Sequence, residues 1–229
     1  MYVADFHMHT NADPADYFLN YDAYQLIDAL AAKGINLAGI THHFKIIFEK
    51  EWQDYARKKG ITLLPSVELN IEGCDVIIVN AKTDAITSFK ALAQYKKNNP
   101  KSLIIAPHPH AHFVHALHEK LYQHKALFDA IEISASMPFR SWVNNKAVQS
   151  AKQLRLPVIA GSDAHDLIQA GTAKNFIDAK SVDEAIAMIK AGKHRPQIRM
   201  SALTRYGYLY PKLTIKKILK RITRRHHDG

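Results

Sequence analysis

Histidines and carboxylates recur in this sequence where short apolar runs end. His7 and His9 follow YVADF with one residue between them. Thr41, His42 and His43 follow INLAGI, and Glu68 follows ITLLPSV. His108 and His110 sit in PHPH after SLIIA, Glu132 falls near the end of DAIEIS, and Ser162, Asp163 and His165 follow LPVIAG in GSDAH. Imidazole nitrogen and carboxylate oxygen together form the donor set of a transition-metal site. Neutral imidazole suits zinc, manganese or iron, and a carboxylate can bridge two ions. In extended chain, residues i and i+2 share a face, so His7 and His9 are expected to chelate one ion. Each pair alone is a weak signal, and His42–His43 alone reads as a polar turn. Their joint occurrence at six successive run ends is the stronger observation.

Those runs are strands that alternate with helix-like stretches. Helices are expected at 21–34, 46–59, 84–97, 112–124, 143–154 and 181–192, from apolar residues at helical spacing and glycine stops. Ser181 with Glu184 three residues on is a capping-box pattern. Such alternation with apolar strands argues for parallel βα units in an α/β fold. About seven units in some 190 residues suit a barrel, with the open doubly wound sheet as the alternative. In a parallel barrel the C-terminal strand ends converge on one face, where the site is built.

Taken together, HMHT (7–10), THH (41–43), VELN (67–70), PHPH (107–110) and GSDAH (161–165) resemble, in order, the motifs of the PHP (polymerase and histidinol phosphatase) family. The resemblance covers residues 1–192. It implies a distorted (β/α)7 barrel, up to three divalent metal ions and hydrolysis of phosphate esters. Carried over, His7, His9 and Asp163 would bind one ion, Glu68 would bridge to a second served by His108, and His43 and His165 would hold a third. Three positions depart from the family pattern. His42 stands where T-D-H has Asp. NADPAD follows HMHT, so Asp13 or Asp16 would have to supply the third ion's further ligand. Arg140 stands near where many members have a His.

The expected metal ligands are therefore His7, His9, Asp13, His43, Glu68, His108, Asp163 and His165, for two or three zinc, manganese or iron ions. Arg140 is a candidate to orient a phosphoryl group, since its planar fork suits phosphate oxygens. His110 and His42 are candidates to protonate a leaving group, and Glu132 to orient a histidine from behind. His112, His115 and His118 are expected on an exposed helix face. His124 and His194 are expected in solvent.

The chain is 47% apolar and 23% charged over 229 residues, an ordinary globular balance. No apolar run approaches the roughly 20 residues of a membrane span, and no signal-peptide pattern is visible, so a cytoplasmic protein is expected. The one cysteine, Cys74, excludes an intrachain disulfide and reads as a small buried apolar residue. The net charge of +10 is uneven. Residues 1–192 hold 20 basic and 20 acidic residues, whereas 193–229 hold 11 basic residues and one acid. This separates a barrel domain, 1–192, from a basic extension, 193–229. Within the extension, Ile215, Ile218, Leu219 and Ile222 form one apolar stripe in the basic segment 212–225, a helical pattern. That stripe could dock on the barrel, lie on an anionic membrane surface or accompany contact with nucleic-acid phosphates.

The function expected is that of a metal-dependent phosphoesterase acting on a phosphorylated small molecule or nucleotide. The alternatives are a nuclease-like phosphodiesterase that uses the tail, a non-catalytic metal-binding or interaction domain, and an amidohydrolase of similar ligand chemistry.

Overall fold

The computed structural model describes residues 1–112, 115–137 and 140–199. The basic segment 212–225 and its expected helix lie outside the described residues. The first three strands, β1 (Tyr2–Asp5), β2 (Leu37–Ile40) and β3 (Thr62–Ile71), run parallel. Helices α1 (Ala23–Ala32) and α2 (Lys50–Lys58) make the crossovers between them. Asp22 caps α1 by accepting from the Gln25 N–H, and Leu26, Ile27 and Leu30 form its buried face.

The alternation then breaks. β3 returns directly into β4 (Cys74–Val79), which runs antiparallel to it. The two turn residues, Glu72 (φ 49°) and Gly73 (φ 81°), are both left-handed, as tight hairpin turns of this hand require. Helix α3 (Phe89–Asn98) leads to β5 (Leu103–Ala106), again antiparallel to β4. Parallel pairing resumes through β6 (Ala130–Ser134) and β7 (Val158–Gly161). The short helix α4 (Lys120–Gln123) lies between β5 and β6, and α5 (Arg140–Leu154) between β6 and β7. β8 (Ala173–Ile177) pairs antiparallel with β1, and helix α6 (Val182–Lys190) leads to β9 (Arg195–Ile198) on its far edge. The described sheet thus runs past residue 192, into the first residues of the basic extension. The strand order is β7-β6-β5-β4-β3-β2-β1-β8-β9.

This sheet curls nearly shut, so the distorted barrel stands and the open sheet does not. The segments following β1 and β7 pair through Met8 and Ala164. His9 N–H donates to the Ala164 carbonyl (3.1 Å) and Asp163 N–H to the His7 carbonyl (2.8 Å). Asn175 on β8 bonds the Ala160 N–H (2.9 Å) and carbonyl (2.8 Å) on β7. The interior is filled by Ala4, Phe6, Leu37, Leu64, Ile77, Val79, Ile105 and Ile159, and the helices pack outside on Val67, Leu69, Ile71, Val76 and Ile78.

Among the described residues of the helix expected at 112–124, only the single turn of α4 is helical. Around the start of that stretch, Ala111 N–H bonds the His108 carbonyl and His118 N–H bonds the Pro109 carbonyl. His118 itself is left-handed (φ 46°). His112, His115 and His118 therefore share no helix face, and His112 stacks on Trp142 (5.0 Å). His194 is half-buried, not solvated, and its Nε2–H donates to the Val158 carbonyl (2.9 Å). His124 stacks on Phe89 (4.0 Å). No helix of the described residues is long and apolar enough to cross a membrane.

Candidate metal centre

Glu68 lies near the C-terminal end of β3, on the same face as Leu64 and Ser66. Four imidazoles from three other chain segments surround its carboxylate. Oε2 lies 3.3 Å from His7 Nε2, 3.4 Å from His9 Nε2 and 3.5 Å from His43 Nε2, and Oε1 lies 3.5 Å from His108 Nε2. Asp163, at the end of β7, adds Oδ1 at 3.5 Å from His7 Nε2 and 3.8 Å from His9 Nε2. These spacings are longer than the roughly 2.7–2.9 Å of a charge-assisted hydrogen bond. His9 Nε2 is buried with no hydrogen-bond partner among the described residues. Leaving such an atom unsatisfied costs about 1–3 kcal/mol. An orphaned imidazole nitrogen facing two carboxylates fits a metal ligand, as does the mixed donor set.

Residues behind the imidazoles fix their orientation. Glu132 Oε1 accepts from His7 Nδ1 (2.8 Å) while its Oε2 accepts from His108 N–H (3.0 Å). One carboxylate thereby aims the His7 ring and pins the chain at His108. Gly161 makes room for it, since a Cβ there would lie 1.7 Å from Glu132 Oε1. Asp13 does the same for two more rings. Its Oδ2 accepts from His9 Nδ1 (2.8 Å), His43 Nδ1 (3.0 Å) and His43 N–H (2.9 Å). An oxygen so engaged orients ligands better than it binds an ion, and Asp16 is the freer carboxylate. Asp16 Oδ2 lies 3.0 Å from His165 Nε2 and 3.6 Å from His43 Nδ1. His108 (φ 27°) and Asp163 (φ 50°) both hold left-handed backbone. Such strain persists where surrounding bonds over-determine the geometry.

The structure thus gathers His7, His9, Asp13, His43, Glu68, His108, Asp163 and His165 at one end of the barrel. Of the two expected proton donors, His110 is turned away from that end, and His42 lies beside it but fully buried. His110 Nε2 bonds Ser150 Oγ (2.7 Å) and lines a separate cavity of about 210 Å³ with Tyr122 and Lys146. The reason is local. Residues 108–111 form a turn, so His108 and His110 lose the shared face of extended chain. His42 is fully buried, bonds Thr10 Oγ1 through Nε2 (2.8 Å) and sits edge-on to Trp52. Burial pushes it down to about 4, so it carries no transferable charge near neutrality. Arg140 opens α5, and its side chain lies outside what is described. Sequence reasoning missed Asp75, whose carboxylate falls within 4.8 Å of ligand atoms of Glu68 and His108.

The charges are interdependent. Burial opposes ionisation of Glu68, yet His7, His108 and His43 hold it well below its ordinary range. Burial would also lower His43 and His165. Asp13, Glu68 and Asp16 instead hold His43 up at about 9, and Asp16 and Asp163 hold His165 up at about 9. A raised imidazole stabilises the folded state fully below its ordinary value of about 6.5, and this contribution is lost as pH climbs through 9. The metal-free protein should therefore lose thermal stability between pH 6.5 and 9. A metal must displace those same protons, so uptake should tighten across that window with measurable proton release. Melting curves of chelated protein and calorimetry in two buffers of different ionisation enthalpy check this. Flat profiles in both would show that His43 and His165 are neutral in the metal-free chain.

The comparisons with known proteins agree with this fold. The family model described as PHP-associated matches residues 142–194, and the resemblance to the PHP family is borne out. No curated protein matches the chain. Among solved structures, PsfC from Pseudomonas syringae PB-5123 is similar over 97% of this chain and 98% of its own, at TM-score 0.62 and 17% identity. An amidohydrolase from Chromobacterium violaceum, with bound sulfate and no metal, is similar over 84% of this chain and 97% of its own (TM-score 0.58, 15% identity). A provisionally assigned metal-dependent phosphoesterase from Bifidobacterium adolescentis is similar over 71% of this chain and 87% of its own (TM-score 0.55, 13% identity). At these identities the likeness is one of fold.

Proposed function

We propose that this chain is a metal-dependent phosphoesterase that hydrolyses the phosphate ester of a small molecule or nucleotide. The observation that carries the proposal is the convergence of four imidazole Nε2 atoms on the one carboxylate of Glu68, with Asp163 beside two of them. His7, His9, Asp163 and Glu68 would hold one divalent ion, Glu68 and His108 a second, and His43, His165 and Asp16 a third. Bound ions supply an acidified water as nucleophile and a positive clamp for phosphate oxygens.

The chain's own residues prepare that chemistry. Glu132 and Asp13 accept hydrogen bonds from the Nδ1–H groups of His7 and His9, which leaves each Nε2 to face the carboxylates and an ion. His7, His9, Glu68 and His108 are buried, whereas the His43 and His165 side chains are 21% and 23% exposed. A substrate would approach from the His43–His165 edge, and the buried wall beneath excludes bulk water. Arg140 keeps its proposed role of orienting the phosphoryl group through its planar donors. The basic segment 212–225 supports a second reading, a nuclease-like phosphodiesterase that holds nucleic acid through that segment.

Hydrolysis of an aryl phosphate monoester and an aryl phosphate diester should be measured with manganese, zinc or iron, with Asp163→Asn as the blank. Metal-dependent turnover that the blank lacks is expected, and the preferred ester separates phosphatase from phosphodiesterase. Equal rates for wild type and blank with all three metals would sink the proposal for simple esters.

A further inference from the structure

The reversed strand β4 brings one more carboxylate to the metal end of the barrel. In a parallel barrel the first residues of a strand lie at the far end from the site. β4 runs antiparallel to β3, so its first residues lie beside the last residues of β3. The register pairs Asn70 with Asp75 and Glu68 with Ile77. Residues directly opposite each other point to the same side of a sheet, and Glu68 and Asn70 share a face as i and i+2. Asp75 therefore projects to the same side as Glu68, as its diagonal neighbour. Ligand atoms of Glu68, Asp75 and His108 all lie within 4.8 Å of one another. Asp75 Oδ1 accepts from Asn70 Nδ2 (3.2 Å), which orients the carboxylate. Asp75 N–H donates to the His115 carbonyl (2.9 Å), which ties the start of β4 to the loop that follows His108.

We propose that Asp75 is a metal ligand, the third protein donor to the ion held by Glu68 and His108. This rests on the metal-centre reading above and deepens it. Among the described residues, the second ion of that reading otherwise has two protein donors, Glu68 and His108. Two carboxylates and one imidazole make a harder, more oxygen-rich set than the two carboxylates and two imidazoles of His7, His9, Asp163 and Glu68. Such a set suits manganese better than zinc. The two ions should therefore differ in metal preference, with the Asp75 site the manganese-selective one.

The test is manganese binding itself, without substrate. Calorimetric titration and bound-metal analysis should be run on the full chain, Asp75→Asn and Asp75→His, with circular dichroism to verify folding. Wild type should take up manganese in at least two classes. Asp75→Asn should weaken one class at least about tenfold, the range that mutation around a metal site produces, and leave the other unchanged. Asp75→His should retain that class with its preference moved toward zinc. Folded Asp75→Asn with wild-type stoichiometry and affinities would overturn the assignment. Should Asp75→Asn fail to fold, a folded Asp75→His with no change in metal preference overturns it equally. A wild-type chain that takes up no manganese or zinc would overturn the metal centre as a whole, a result distinguishable from failure of Asp75 alone.

Discussion

Glu68→Gln should abolish metal-dependent hydrolysis, lowering the rate at least about 10³-fold, which corresponds to roughly 4 kcal/mol of transition-state stabilisation. It should also leave at least one ion fewer per chain by bound-metal analysis. Gln fills the same volume, so the change is one of charge and donor chemistry. Wild-type Glu68 faces His7, His9 and His43 through Oε2 and His108 through Oε1. An amide in that place carries no charge, and its NH₂ end would point protons at imidazole nitrogens. In the metal-free chain His7 and His43 are held above their ordinary range partly by Glu68, so both should titrate lower in the variant. Asp163 shares two of these imidazoles, so the residues act as one unit. The double variant with Asp163→Asn should then be little worse than either single one. A folded Glu68→Gln protein with wild-type metal content and rate would remove the bridging carboxylate from the mechanism.

The strand ends were legible because an apolar run followed by a histidine or acid needs no knowledge of topology. That reading located His7, His9, His43, Glu68, His108, Asp163 and His165, and the structure brings them together. Strand direction was not legible. An apolar run such as CDVIIV pairs equally well parallel or antiparallel, and the short Glu72–Gly73 turn is the only sign of reversal in the sequence. Asp75 was missed for that reason: read as the start of a parallel strand, it would lie at the wrong end of the barrel. His110 points elsewhere for a related reason: the chain turns over residues 108–111, and PHPH alone does not announce that turn.

The division of labour between ligands and their supports was also hidden. Asp13 and Asp16 are equivalent in NADPAD, and only the folded geometry distinguishes them. Asp13 is fully buried and collects three N–H groups on one oxygen, while Asp16 faces His165 and His43. Sequence spacing carries no information about which nitrogen of an imidazole is occupied. That occupancy decides which nitrogen is left for an ion.

Gly161→Ala should weaken metal binding about 10–100-fold, the range for mutations behind a metal ligand, although residue 161 touches no ion. The added Cβ would lie 1.7 Å from Glu132 Oε1 and 2.6 Å from its carboxyl carbon, with His7 Cβ at 3.1 Å. The carboxylate cannot stay where it is. Once displaced, it releases both the His7 Nδ1 proton and the His108 backbone N–H, each of which it holds in wild type. His7 can then rotate, and His108 loses a bond that supports its left-handed backbone. Gly161 lies in the β7 ladder opposite Ser134, so the main chain has little freedom to retreat. Glu132→Gln is the informative companion. It keeps the shape and one acceptor while removing the charge that makes His7 a better ligand, so it should cost less affinity than Gly161→Ala. The opposite ranking in manganese titration would mean that the charge of Glu132, and not its position, governs the site.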